Sequence, residues 1–285
     1  MSFRDCRRVM AAALAASWTA GPVDAAEPAP PMPEIVRVVA APEATQGVTD
    51  DAAFLYAVQN GRIGRYSRAT GERVGSWQGD PALYIHINSC RAMDGELVCA
   101  MSNYPETPMT SSVEWFDART MRHVRSHSFG PGLGSLTWID WHGGSWWACF
   151  ANYDGEGGEA PRDHRATVLV RMDSHFVRQE AWLFPRDVLE RFGHYSASGG
   201  QWGADGRLYV TGHDRAELYV LALPEAGGRL VHVDTMALPT NGQAFDWDVL
   251  RPGHVWTIDR RHAAMVESVL PPAGASRAGP WRSSP

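Results

Sequence analysis

Tyr195–Asp214, YSASGGQWGADGRLYVTGHD, reads as one β-hairpin. A short strand runs into Gly-Ala-Asp-Gly, and the chain returns as RLYVTGHD. Asp205-Gly206 is a strong turn signal, because glycine reaches positive φ without a Cβ clash. The returning strand ends in His213-Asp214, a polar pair with acid–base and ligand chemistry available.

Looser copies of this hairpin recur along the chain. The first unit, from Gln46 to Gly79, contains FLYAVQN, RIGRYSR and RVGSWQG. The second starts at Tyr84 with YIHINSC, turns at Asp94-Gly95, returns as ELVCAMSNY and continues with SVEWFDA and HVRSHSF. The third runs GSLTWID, Gly143-Gly144, SWWACFANYD, TVLVRMD and VRQEAWLF. The opening hairpin begins the fourth, with ELYVLAL and LVHVDTMAL after it. The fifth offers GQAFDWD, HVWTIDR and AMVESVL, then stops one strand short. Units of about 40–50 residues with four strands each are the pattern of a β-propeller. Five units give an all-β, five-bladed propeller. The unpaired strand EIVRVVAA, Glu34–Ala41, supplies the missing outer strand and closes the ring, leaving no raw sheet edge there. Phe184–His194 reads as a short helix inserted between the third and fourth units, with Pro185 and Asp187 near its start.

Outside the repeats, residues 1–26 carry Arg4, Arg7 and Arg8, then an apolar run from Val9 to Ala20, then small residues. That order is a secretory signal peptide, so a periplasmic or secreted location is expected. Residues 27–33 read as a Pro-rich linker, 34–271 as a single propeller domain and 272–285 as a disordered tail. No apolar run is long enough to span a membrane. Removing residues 1–26 shifts the formal charge from −6 to −7, which gives no reason to expect nucleic acid as partner. All 26 basic residues are arginine; without lysine there is no Schiff base and no phosphate-loop lysine. The sequence also lacks G-x-S-x-G, H-E-x-x-H, C-x-x-C and C-x-x-C-H. If Asp94-Gly95 form a two-residue loop, Cys90 and Cys99 stand opposite each other in a non-hydrogen-bonded pair, the geometry of a cross-strand disulfide. A longer loop would shift that register. Cys149 then remains as a buried small hydrophobe.

In a propeller, the starts of the inner strands and the ends of the second strands meet at the top of the central channel. Here those positions are polar. The inner-strand starts offer His86 with Asn88, Ser135, Ser198, and Asn241 with Gln243. The second-strand ends offer Asn103-Tyr104, Asn152-Tyr153-Asp154, His213-Asp214 and Asp259-Arg260; Asn60-Gly61 is an ordinary turn pair. His213-Asp214 has three readings: a general base oriented by a carboxylate, part of a divalent-metal site with His86 and Asn103 or Asn152, or a strand-end cap. The loop 154–165 reads as a solvated acidic loop over the top face and a candidate lid.

The runs HINSCRAMDGELVCAMSNYPETPMTSSVEWFD, SHSFGPGLGSLTW, WWACFANYDGEGGEAP and YSASGGQWGADGRLYVTGHDRAELYVL resemble a group of exported propeller proteins with YVTN-type or quinoprotein-like blades, some labelled cycloisomerase. The resemblance implies the propeller fold and export across nearly all of residues 34–271; the group has no established reaction, and lactone formation or opening is the activity expected if the chain is an enzyme. Sugar-lactonase propellers are similar in architecture and bind a divalent metal through Glu, Asn and Asp at the channel top, but this chain has no equivalent Glu. The expectation is a monomer with a small-molecule site at the top centre. In it His213 or His86 moves a proton, Asp214 orients it, and Asn88, Asn103, Tyr104, Asn152, Tyr153, Asp259 and Arg260 hold the ligand. The rival expectation is a non-catalytic module that holds a ligand or a protein partner on the same face.

Overall fold

The computed structural model describes residues 31–273. The expected signal peptide, most of the linker and the tail beyond residue 273 lie outside them. Within them β1 (Glu34–Ala40) precedes blade 1, which is β2 (Gly47–Asp50), β3 (Phe54–Gln59), β4 (Arg62–Ser67) and β5 (Arg73–Gln78). Blade 2 is β6 (His86–Met93), β7 (Glu96–Ser102), β8 (Thr110–Asp117) and β9 (Arg122–Pro131). Blade 3 is β10 (Ser135–His142), β11 (Ser145–Ala151), β12 (Val168–Met172) and β13 (Arg178–Leu183). After helix α1 (Arg186–Phe192), blade 4 is β14 (Gly199–Trp202), β15 (Leu208–Thr211), β16 (Glu217–Ala222) and β17 (Val231–Ala237). Blade 5 has β18 (Asp246–Trp247), β19 (His254–Asp259) and β20 (Ala264–Val269), with β1 as its outer strand. The five blades are antiparallel throughout, and the chain is a five-bladed propeller as its repeats predict.

The β1–β20 pairing closes the ring, with Val38 opposite Val266 and Ala40 opposite Ala264. Two further ties join blades 1 and 5. Arg68 pairs with Asp50 and, at 2.8 Å, with Asp248, and the Trp256 indole donates to the same Asp248 oxygen at 2.9 Å. Gly47 lies against Ala244, where any Cβ would come within 2.7 Å of the alanine methyl.

Among the described residues no apolar core forms at the centre. Instead one apolar cluster fills each wedge between neighbouring blades. The period of two along a strand explains how one strand serves two wedges. In β3, Leu55 and Ala57 face blade 5 while Tyr56 and Val58 face blade 2. In β7, Leu97 and Cys99 face blade 1 while Val98 and Ala100 face blade 3. That is why these strands read as continuous apolar runs rather than alternating ones. Helix α1 adds Val188, Leu189 and Phe192 to the wedge between blades 3 and 4. Met93 faces Glu96 across the Asp94-Gly95 turn, Cys90 faces Cys99, and a disulfide joins the two cysteines with 3.9 Å between their Cα atoms.

The inner strands carry a repeat that the hairpins alone do not reveal. Each presents one polar side chain near its start and a second three residues later: Gln46 and Thr49, Asn88 and Arg91, Thr137 and Asp140, Ser198 and Gln201, Gln243 and Asp246. Strict alternation would give a step of two. In blades 2 and 3 the register slips between Ile87 and Ser89 and between Leu136 and Trp138, and such a bulge turns the strand by one residue. The lower members meet at the axis. Arg91 pairs with Asp246 and, at 3.3 Å, with Asp140; Thr49 donates its hydroxyl proton to Asp246 at 2.5 Å; Gln201 accepts from Trp247 N at 3.0 Å. Blade 5 differs from expectation in having only Asp246–Trp247 as inner strand. Its preceding residues give their backbone to neighbours, Ala244 N to Gln46 O and Gly242 N to Arg215 O.

Burial pushes the Asp140 and Asp246 carboxyls upward, and Arg91 beside them opposes that shift. Arg91→Leu would leave both carboxylates buried without their cation, at a cost of about 3–5 kcal/mol. Urea denaturation at pH 7 should show that loss. Because the folded-state carboxyl pKa values then lie further above their unfolded values, the deficit should shrink as pH falls through the folded values. A deficit independent of pH would mean that lost packing, not charge, causes it.

Candidate functional site

A cavity of about 260 Å³ opens on the top face around the axis. Its lower wall takes one polar residue from each blade: Gln46, Asn88, Thr137, Ser198 and Gln243. Higher up it is lined by His86, Tyr104, Tyr153, Tyr195, His213 and Arg260. Among these lining residues Arg260 is the only permanent charge, and no carboxylate is present.

The lower wall is partly committed. The Asn88 amide donates to Ser102 Oγ at 3.2 Å and to Leu136 O at 2.8 Å. Gln46 donates to Asn60 Oδ1 at 2.9 Å, so the Asn60 turn supports the cavity without lining it. Among the described residues Gln243 Nε2 is buried without a hydrogen-bond partner, and Thr137 Oγ1 is buried with only the Cys149 thiol to pair with. A buried donor left without an acceptor is costly, so Gln243 Nε2 is the natural point for a ligand oxygen, with the Thr137 hydroxyl as a second.

The aromatic wall is a chain of ring contacts. His86 lies 5.1 Å from the Tyr104 ring, and Tyr104 lies 5.1 Å from Tyr153. Tyr104 is backed by Gly157, whose φ is +73° and where a Cβ would come within 2.6 Å of the ring. Burial pushes the Tyr153 phenol upward and so keeps it a neutral donor. Burial also drives the His86 imidazole down to about 4, helped by the Arg260 charge and opposed by a hydrogen bond with Asn88.

On the opposite side, Tyr195 packs on His213 with 4.6 Å between centroids. His213 Nδ1 lies 2.6 Å from Asp214 Oδ1, and Arg260 Nη1 lies 2.8 Å from His213 Nε2. A guanidinium only donates, so Nε2 accepts, and the imidazole proton sits on Nδ1 facing Asp214. The three residues form a chain from the cavity to solvent, since Asp214 is 64% exposed.

Of the expected site residues, His86, Asn88, Tyr104, Tyr153, His213 and Arg260 converge on the cavity. Asp214 stands behind His213. The other three are occupied elsewhere. Asn103 closes its own loop, donating to Pro108 O and accepting from Thr110 N. Asn152 donates to Ala166 O. Asp259 caps the backbone of Arg261 and His262. Each is a strand-end Asn or Asp whose nearest free backbone groups are local, which is the common fate of that residue type. Gln46, Thr137 and Tyr195 line the cavity although the sequence reading assigns them no site role; the three-residue spacing of polar inner-strand positions marks the first two.

The metal set does not assemble. His86 and His213 face the cavity without Asp214, Asn103 or Asn152, and the Arg260 guanidinium sits on His213. These residues do not fit a divalent ion. The loop 154–165 is fastened rather than loose. Asp154 accepts from His164 Nδ1 and N and lies 3.1 Å from His194 Nδ1, Glu159 accepts from Met109 N, and Arg162 donates to Gly132 O. Among the described residues no helix is long and apolar enough to cross a membrane.

No family model matches the chain, and no curated protein matches its sequence. Solved structures resemble it in fold. The PQQ-bound form of aldose sugar dehydrogenase from Streptomyces coelicolor aligns at 10% identity over 85% of this chain and 100% of its own, with a TM-score of 0.53. A luciferin-regenerating enzyme aligns at 11% identity over 85% of this chain and 96% of its own, with a TM-score of 0.51. Both are similar in architecture, and the likeness extends to the fold alone.

The low position of His86 has a readable consequence. Its folded pKa lies below the unfolded value, so the stability that goes with its neutral form is present above pH 6.5 and is lost as pH falls toward 4. Ring ¹⁵N shifts should show His86 neutral at pH 5.5. The stability of His86→Phe should fall less steeply than wild type between pH 6.5 and 4. A His86 midpoint near 6.5 would contradict the burial described above.

Proposed function

We propose that the chain is an exported propeller that binds a small organic carboxylate in its top-centre cavity and opens or forms a lactone there. The observation that carries the reading is Arg260, the single permanent charge lining a cavity free of carboxylates, donating to His213 while Asp214 holds the far side of that ring. An arginine so placed matches a carboxylate geometrically as well as in charge. The Cys90–Cys99 disulfide supports an oxidising compartment.

In the proposed reaction Arg260 leaves His213 for the ligand carboxylate, which frees the Nε2 lone pair. For lactone opening, His213 Nε2 takes a proton from water as the water oxygen attacks the lactone carbonyl. The tetrahedral oxyanion collapses, the ring C–O bond breaks, and the proton returns to the departing alkoxide. Asp214 acts as a positioning residue: it keeps the Nδ1 proton in place and stabilises the imidazolium that forms transiently. Closure of a hydroxy acid runs these steps in reverse. His86, held neutral by burial, serves as a polar wall rather than a base.

A second reading, binding without turnover, is favoured by the Arg260–His213 hydrogen bond itself, because it occupies the one lone pair that a base would need. Calorimetric titration and a turnover screen with carboxylate-bearing γ- and δ-lactones separate the two. Arg260→Gln should weaken carboxylate binding by about tenfold or more. His213→Gln should keep binding within a few-fold and lower kcat by about 10²–10⁴. Full turnover in the His86→Ala/His213→Ala double variant would remove both histidines from the chemistry. Carboxylate binding unaffected by Arg260→Gln would remove the anion site.

A further inference from the structure

The cavity has two ends of different chemistry, and the deeper end says what the ligand carries besides its carboxylate. At the rim is Arg260. At the floor are Gln243 and Thr137, which line the cavity; Gln243 Nε2 is buried with no hydrogen-bond partner among the described residues, and Thr137 Oγ1 is buried with only the Cys149 thiol to pair with. They come from blades 5 and 3, which are not neighbours, so they approach the axis from separate directions. An amide N–H and a hydroxyl that converge in this way suit an acceptor oxygen on the axis between them.

That oxygen could belong to a neutral carbonyl or to a second carboxylate. The layer beneath decides between them. Asp140 lies three residues after Thr137 on its strand, and Asp246 three residues after Gln243. The one cation at that level, Arg91, is already bracketed by the two aspartates. A second carboxylate would be buried against an amide and a hydroxyl, with no free cation, above a layer already holding two carboxyls. An unpaired buried charge costs far more than a buried carbonyl that receives hydrogen bonds.

We infer that the site selects a monocarboxylate with a neutral carbonyl at its far end, an oxo acid or a lactone carboxylate, and rejects the dicarboxylate of equal length, with Gln243 as the residue that reads the carbonyl. This rests on the carboxylate reading of Arg260. The donors also fit the lactone chemistry: a carbonyl held by Gln243 and Thr137 is polarised for attack, and the same two groups face the oxyanion that follows.

Pentanoate, 4-oxopentanoate and pentanedioate share a five-carbon chain and differ in its distal two carbons: an alkyl end, a ketone at C4, and a carboxylate at C5. Calorimetric titration of the full chain should find 4-oxopentanoate about tenfold tighter than pentanoate, the return on pairing the buried Gln243 donor, and pentanedioate no tighter than pentanoate. Gln243→Leu should erase the difference in affinity between 4-oxopentanoate and pentanoate; Thr137→Val, a smaller change to the floor, should reduce it. If pentanoate binds in an Arg260-dependent way but 4-oxopentanoate gains nothing, or pentanedioate binds tightest, the carbonyl inference fails while the carboxylate site stands. If no carboxylate binds, or binding ignores Arg260→Gln, both fail together.

Discussion

Arg91, held on the propeller axis between Asp140 and Asp246, is the interaction on which the rest of the arrangement depends. Five blades that pack only through their flanks leave a channel at the centre, and something must fill it. A side chain from each inner strand does so here, and the charged three, from blades 2, 3 and 5, tie non-adjacent blades across the axis. Aspartates so deeply buried are tolerable only with a cation and hydrogen-bond donors in reach, and the guanidinium, the Thr49 hydroxyl and the Trp202 backbone N–H supply them. The plug gives the cavity above it a floor. Its cation, Arg91, is taken up by Asp140 and Asp246.

That constraint separates two polar layers with opposite uses. The lower one is satisfied within itself and structural. The upper one keeps the buried Gln243 amide N–H unpaired and a single cation at the rim. The aromatic wall of His86, Tyr104 and Tyr153 stands between blades 2 and 3 and is stiffened from behind by the fastened loop 154–165. Charge, donors and apolar rings thus sit at different heights around the axis, which is the arrangement needed to orient a small two-ended molecule.

The architecture was legible because it rests on features that repeat: turn pairs such as Asp94-Gly95 and Gly143-Gly144, four-strand units, and a missing strand at one end matched by a spare one at the other. Glu34–Ala40 pairing with Ala264–Val269 follows from that count. The site was legible only in part. His86, Tyr104, His213 and Arg260 could be placed by topology, since strand ends must meet at the top. Asn103, Asn152 and Asp259 occupy equivalent positions yet turn back to local backbone, and a sequence does not show which way a short polar side chain will turn. The axial ring escaped for a different reason. A reading based on alternation expects Asn88 and Cys90 to share a face, whereas the bulge after Ile87 sends Arg91 to the axis instead. Only when the five inner strands are aligned on their polar residues does the step of three appear, and in blades 2 and 3 a bulge produces it.

The claim that Arg260 makes the top-centre cavity an anion site is tested most directly by the His213 ring nitrogens, because Arg260 is hydrogen-bonded to one of them. Following their ¹⁵N shifts while titrating wild-type protein with pentanoate and then with pentylammonium compares one shape in two charges. Saturable movement of the Nε2 signal with the carboxylate and none with the amine is the expected result. Saturable movement with the amine, or an Nε2 signal indifferent to the carboxylate, would contradict it.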